Sequence, residues 1–193
     1  MPKTTSIPLR FQLICLILGQ LCFALSTFFW IDAGTYSVNS ATWMFFSMVF
    51  WALGWMGLFG MLAEQMPIYS KLGLLYALYG TFGGAAFAME GLFIETFDLS
   101  EKAGVEASEI FPLQFNLVLY QSGPAFPLSL LILGIVLAYR KKVTWPAGIL
   151  LSFSGISFPV GRILRKVEIA HATDFLLLAA VIWISFQLLG KER

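Results

Sequence analysis

A handful of polar residues sit inside otherwise apolar stretches of the chain: Glu90, Tyr120, Gln121, Ser122, Arg162, His171 and Asp174. A carboxylate, a guanidinium and an imidazole drawn into a low-dielectric medium hold their charges only if they pair. Ionisable groups at such depth mark ligand sites, proton relays or structural networks. His171 and Asp174 are three residues apart, hence on one helical face, and can hydrogen-bond or share a proton. A carboxylate beside an imidazole moves its titration toward neutral pH. The residue types therefore point to binding of a small polar or charged group, with proton exchange through His171.

The medium follows from composition. Of 193 residues, 59% are hydrophobic, 16% aromatic and only 12% charged, with a net charge of +1. That charged fraction is about half the usual one, and so much apolar surface excludes a water-soluble domain. The basic residues run no longer than Arg140-Lys141-Lys142, so nucleic acid, which requires a clustered cationic surface, is excluded as a partner. Cys15 and Cys22 lie seven apart within the first apolar run and imply neither disulfide nor metal site. No cofactor is expected. Lys3, Arg10, Ala24 and Ser26 give the N-terminus a signal-peptide look, but apolarity continues through Phe28, Phe29, Trp30 and Ile31, which reads as an uncleaved first span.

Six stretches are long enough to cross a hydrocarbon layer roughly 30 Å thick, which needs about 20 residues of helix. They cover about 11–31, 41–63, 72–94, 112–139, 143–161 and 171–190, with Pro67, Pro112 and Pro146 at their edges, where proline starts or ends helices at little cost. The expected fold is an all-α, single-domain bundle of six transmembrane helices. The bilayer is its first partner, and a second copy or another membrane protein is an open one. Lys3, Arg10, Lys71, Arg140, Lys141, Lys142, Lys191 and Arg193 would lie on one side, against Lys102, Arg162, Arg165 and Lys166 on the other. The larger basic set belongs in the cytoplasm. Both termini are thus expected inside the cell membrane, with an acidic loop over 95–111, carrying Glu95, Asp98, Glu101, Glu106 and Glu109, outside. Arg162, Arg165 and Lys166 go against that rule and draw attention to their segment.

Helical rise sets the height of the polar residues. Phe175 to Gly190 is 16 residues, covering roughly 24 Å, so Asp174 and His171 must enter the membrane margin. Counted from the cytoplasmic basic residues, Glu90, Ser122, Arg162, His171 and Asp174 all fall roughly 25 to 30 Å up. They share one layer, and a pocket facing outward and lined by Glu90, Tyr120, Gln121, Arg162, His171 and Asp174 is the expectation. In the third span Tyr76, Gly80, Gly83, Ala86 and Glu90 recur along one face, as a cavity wall or a helix-packing stripe would; Gly54, Gly57 and Gly60 read as packing alone. The fourth run is interrupted at Gly123, Pro124 and Pro127. A break there would expose N–H groups near Gly123 and Ala125 to an anionic or carbonyl ligand. Pro159 is placed to bend the fifth span and turn Arg162 inward.

Six spans with both ends inside, Ser122-Gly123 in the fourth run and Ala170-His171 in the sixth together resemble the rhomboid serine proteases. The resemblance implies Ser122 as nucleophile and His171 as its general base. Tyr120 stands where that family has glycine, the second span has no His-x-x-x-Asn, and the segment Asp32 to Ser40 is short for its first external loop. Three readings follow: a small-ligand binding or transport protein, proton-linked through His171; an accessory or scaffold subunit whose polar cluster is a structural ion-pair network; and an intramembrane hydrolase using Ser122 and His171.

Overall fold

The computed structural model describes residues 8–31, 35–99 and 103–190. Helix α1 (Leu9–Thr27) follows Pro8. Its chain then turns into a two-residue antiparallel pairing of β1 (Trp30–Ile31) with β2 (Thr35–Tyr36). Ser37 starts α2 (Val38–Gly60) by accepting the Ser40 N–H on its Oγ at 3.1 Å, the usual role of an N-terminal serine. Pro67 opens α3 (Pro67–Thr96). After the short α4 (Ala103–Ile110) the fourth span is composite: α5 (Pro112–Phe115), a π-helical stretch Asn116–Tyr120, a turn over 121–124 and α6 (Ala125–Tyr139). Pro146 lies in the first turn of α7 (Trp145–Leu164), and α8 (Val167–Gly190) completes the chain.

Among the described residues, six helical units are long and apolar enough to cross a membrane, as the sequence implies. The chain is a multi-pass, all-α membrane bundle. Its spans close a ring in chain order: α1 on α2, α2 on α3, α3 on α6, α6 on α7, α7 on α8, and α8 back on α1. Helices apolar all round cannot be sorted by amphipathicity. Size sorts them instead. Phe46, Leu75, Phe82, Phe153, Ile163 and Phe186 point outward, while glycine, alanine and serine face neighbouring helices, as expected where lipid tails compete equally for large side chains. A Cβ on Gly148 would lie 2.5 Å from the Gly134 carbonyl, and one on Gly155 2.6 Å from the Pro127 carbonyl, so α6 and α7 meet backbone to backbone. Trp51, Trp55 and Phe126 fill the centre, with ring centroids 4.9 to 5.6 Å apart, and the Trp55 indole donates to Thr81 Oγ1 at 2.9 Å.

Several boundaries differ from the sequence reading. The first span stops at Thr27 and not at Ile31, because Trp30 and Ile31 pair with Tyr36 and Thr35. The expected acidic loop 95–111 is partly helical: α3 runs through Thr96 and α4 covers Ala103–Ile110, whose alanines and glutamates favour helix. Glu95 is not merely a solvated loop acid, since its Oε2 accepts the Val38 N–H at the start of α2. Glu101, Lys102, Lys3, Lys191, Arg193 and Asp32 lie outside the described residues. Cys15 and Cys22 are buried thiols.

Candidate functional site

Three helix ends converge where the β-hairpin sits. Thr27 is the last residue of α1, Arg162 lies in the last turn of α7, and Asp174 lies near the start of α8. The approach is permitted by Gly161, where a Cβ would come within 2.8 Å of Ala170 Cα. Arg165, in the left-handed region at φ 49°, ends α7 and returns the chain into α8. Asp174 is fully buried. Its Oδ2 accepts the Thr27 hydroxyl at 2.6 Å, and its two oxygens lie 2.9 and 3.0 Å from Arg162 Nη2. Gln20 Nε2 donates to the Asp174 backbone carbonyl at 3.0 Å. Every carboxylate oxygen thus has a charged or hydroxyl partner, the condition for keeping such a pair ionised away from water.

The rest of the guanidinium is held by aromatic rings. Arg162 Cζ lies 4.7 Å from the Phe23 centroid, 4.8 Å from Trp30 and 5.2 Å from Phe158, a cation–π cage. Among the described residues, Arg162 Nε and Nη1 have no hydrogen-bond partner, and neither does the Trp30 indole nitrogen beside them. All three are donors. Leaving such groups buried and unmatched costs roughly 1–3 kcal/mol each.

Arg162, Phe23, Trp30 and Phe158 border a cavity of about 780 Å³ lined by α1, α2, α3, α4, the fourth span, α7 and the hairpin. Gly80, Gly84 and Gly91 of α3 line it while making room for Phe126, Met48 and Tyr36, and Gly123 of the fourth span lines it too; Met44, Met48, Phe87, Phe126 and Phe158 make its walls apolar. Among the described lining residues Glu90 is the one acid, and Arg162 and Arg165 are the cations. Tyr36 from the hairpin also lines it, with Gly91 making room, since a Cβ there would lie 2.7 Å from Tyr36 Cβ. Burial pushes the Tyr36 phenol above its usual range, with the Arg162 charge acting the other way. A second cavity of about 720 Å³, between α3, α4 and the start of the fourth span, shares Glu90 and Ile94 with the first.

Of the residues singled out from sequence, Glu90, Tyr120 and Arg162 border the main cavity, and Asp174 anchors Arg162 from behind. His171 is elsewhere: its ring lies 4.1 Å from that of Phe28 and 6.4 Å from that of Phe175. The expected His171–Asp174 hydrogen bond is not formed: Thr27 and Arg162 occupy the carboxylate, and His171 Nδ1 has no partner among the described residues. Gln121 is exposed and outside the lining. Ser122 is buried, and its Oγ donates to the Val118 and Leu119 carbonyls at 2.6 and 2.9 Å. Its environment is the fourth span and Gly83 of α3, whereas that of His171 is α1 and α8, so the arrangement implied by the rhomboid resemblance is not assembled.

The expected free N–H groups are also satisfied. Gly123 N–H donates to the Leu119 carbonyl at 3.2 Å and Ala125 N–H to that of Ser122 at 3.0 Å, because the break is a tight turn that continues the helical path. The stripe on α3 serves both ends foreseen for it. Gly80 packs on the Phe126 backbone and Gly83 on Ser122, while Gly80 and Glu90 also line the cavity; Tyr76 is exposed and Ala86 borders the second cavity. Gly54 and Gly57 admit Leu16 and Gln12 of α1, whereas Gly60 has nothing within 4 Å.

Sequence reading missed Thr27, Gln20, Trp30 and Phe158. Gln20 and Thr27 are seven apart on α1, two turns along one face, and that spacing of polar residues in an apolar helix was an available signal. Compared with known proteins, the chain matches no family model, no curated protein and no solved structure.

Proposed function

We propose that this chain is a membrane-embedded binding protein for a small, mostly apolar ligand that presents a hydrogen-bond acceptor to the Arg162–Trp30 corner of the cavity. The observation that carries the reading is the set of three donors without a partner among the described residues, Arg162 Nε, Arg162 Nη1 and Trp30 Nε1, at the border of one cavity. Its size lies within the range of about 300–1,000 Å³ usual for small-molecule sites, and its apolar walls with a few convergent polar groups match their makeup. The ligand supplies what the protein lacks there, acceptors. Asp174 already neutralises Arg162, so an ester or amide carbonyl serves as well as an anion. Because His171 is packed against Phe28 away from the cavity, the reading carries no proton link through it. By the distribution of basic residues, Arg10, Lys71, Arg140, Lys141 and Lys142 at the opposite end of the bundle from Arg162, Arg165 and Lys166, the hairpin end faces outward from the cell membrane.

A second reading has its own observation. The ion pair joins α1, α7 and α8 through Thr27, Arg162 and Asp174, which is what a purely structural latch in a scaffold subunit would do. Native mass spectrometry of protein purified from membranes in mild detergent separates the two. Gly123→Phe is suited to fill the cavity, because a Cβ at Gly123 meets only carbonyls at 3.5 and 3.6 Å. A ligand-binding protein carries a small-molecule adduct that Gly123→Phe loses; a latch shows the same bare mass in both.

A further inference from the structure

We infer that the ligand reaches this cavity sideways from the bilayer and is a long-chain amphiphile with an oxygen-acceptor head, an inference that rests on the cavity being a binding site. The lining is not confined to the interior. Ile156 and Ile163 of α7 are 55% and 78% exposed, and Tyr120 and Leu128 of the fourth span 44% and 40%, yet all four border the cavity. Side chains that face both the cavity and the outside of the bundle mark an opening. These lie on the ring's outer surface within spans, so the opening gives onto lipid.

The seam between the fourth span and α7 has a closed part and an open part. From Gly134–Gly148 up to Gly155 the two backbones touch. Every cavity-lining residue of α7 and its C-cap, from Gly155 through Arg165, lies at or beyond the last of these contacts. Pro159, within that stretch, has no N–H to give the Gly155 carbonyl one turn earlier. The window therefore begins where glycine contact ends and finishes at Arg162 and Arg165. A molecule lying in it would place an apolar tail between Ile156 and Leu128 and its head at the Arg162–Trp30 donors. Such an arrangement suits a hydrocarbon chain carrying a carboxylate or an ester carbonyl, and offers a small water-soluble anion few contacts.

The test uses the purified full chain in detergent with tritiated stearate as probe, read by scintillation proximity. Wild type binds stearate saturably; unlabelled stearate displaces it, and hexanoate at a hundredfold higher concentration does not. Displacement by monostearoylglycerol identifies an ester carbonyl as sufficient, and failure to displace identifies the carboxylate as the preferred head; either head supports the class. The double substitution Leu128→Trp and Ile156→Trp, at outward-facing positions, narrows the window and slows both binding and release at least tenfold. Unchanged exchange rates in that variant, or displacement by hexanoate as effective as by stearate, overturns lateral entry of an amphiphile while leaving the cavity as a binding site. Absence of stearate binding overturns the amphiphile class; the adduct measurement on wild type and Gly123→Phe then decides separately whether the cavity binds anything.

Discussion

Arg162 Nη2 stands 2.9 Å from Asp174 Oδ1, tying the end of α7 to the beginning of α8 with a side chain that is fully buried on the acidic side and 13% exposed on the basic one. The pair is sealed from behind by Thr27 and Gln20 and roofed by Phe23, Trp30 and Phe158. Removing either member strands the other in low dielectric.

Asp174→Ala therefore destabilises the bundle by about 3–5 kcal/mol, whereas the paired change Asp174→Leu with Arg162→Met restores most of that loss. Thermal unfolding in detergent, followed by circular dichroism, measures both. If the double variant melts as low as the single one, the pair does more than compensate its own charges.

Glycine contacts provide a contrast in packing. At Gly80 a methyl group would run into the Phe126 backbone, while at Gly60 it would meet nothing within 4 Å. Gly80→Ala is expected to cost about 1–3 kcal/mol, the usual range for overpacking, and Gly60→Ala to leave the melting temperature unchanged or slightly raised. Equal effects at the two positions would remove the α3–α6 contact from the account.

Much of this was legible beforehand, for reasons that particular residues make clear. Helical rise is fixed and bilayer thickness varies within narrow bounds, so Arg162, Asp174 and Glu90 could be set in one layer by counting from Lys142, Lys191 and Lys71. Counting gives height and not azimuth. His171 shares that height but turns toward Phe28, and Gln121 turns outward. The hairpin escaped notice because Trp30 and Ile31 are as apolar as the helix before them, and only pairing with Thr35 and Tyr36 distinguishes them. Its consequence is large, since it brings Trp30 onto Arg162.

The Ser122 hydroxyl is engaged by the carbonyls of Val118 and Leu119 in its own span. A fluorophosphonate probe is accordingly expected to leave folded protein unlabelled, and Ser122→Ala to keep its stability within about 1 kcal/mol, the net worth of one hydrogen bond. Labelling of wild type that disappears in Ser122→Ala would revive the hydrolase reading.

Orientation is open to direct labelling. In a background lacking Cys15 and Cys22, a cysteine at Glu64, in the connection between α2 and α3, should react with an impermeant maleimide only after cells are opened, and one at Glu109 of α4 in intact cells. The reverse pattern would invert the bundle and make the hairpin end cytoplasmic.

The most direct test is an experimental density map of the protein purified from its own membranes. A bound molecule is expected in the cavity, with an oxygen within about 3.2 Å of Arg162 Nε, Arg162 Nη1 or Trp30 Nε1 and a tail directed between Ile156 and Leu128. A cavity closed by collapse of α3 onto α7, with the three donors satisfied by the protein's own carbonyls, would contradict the account.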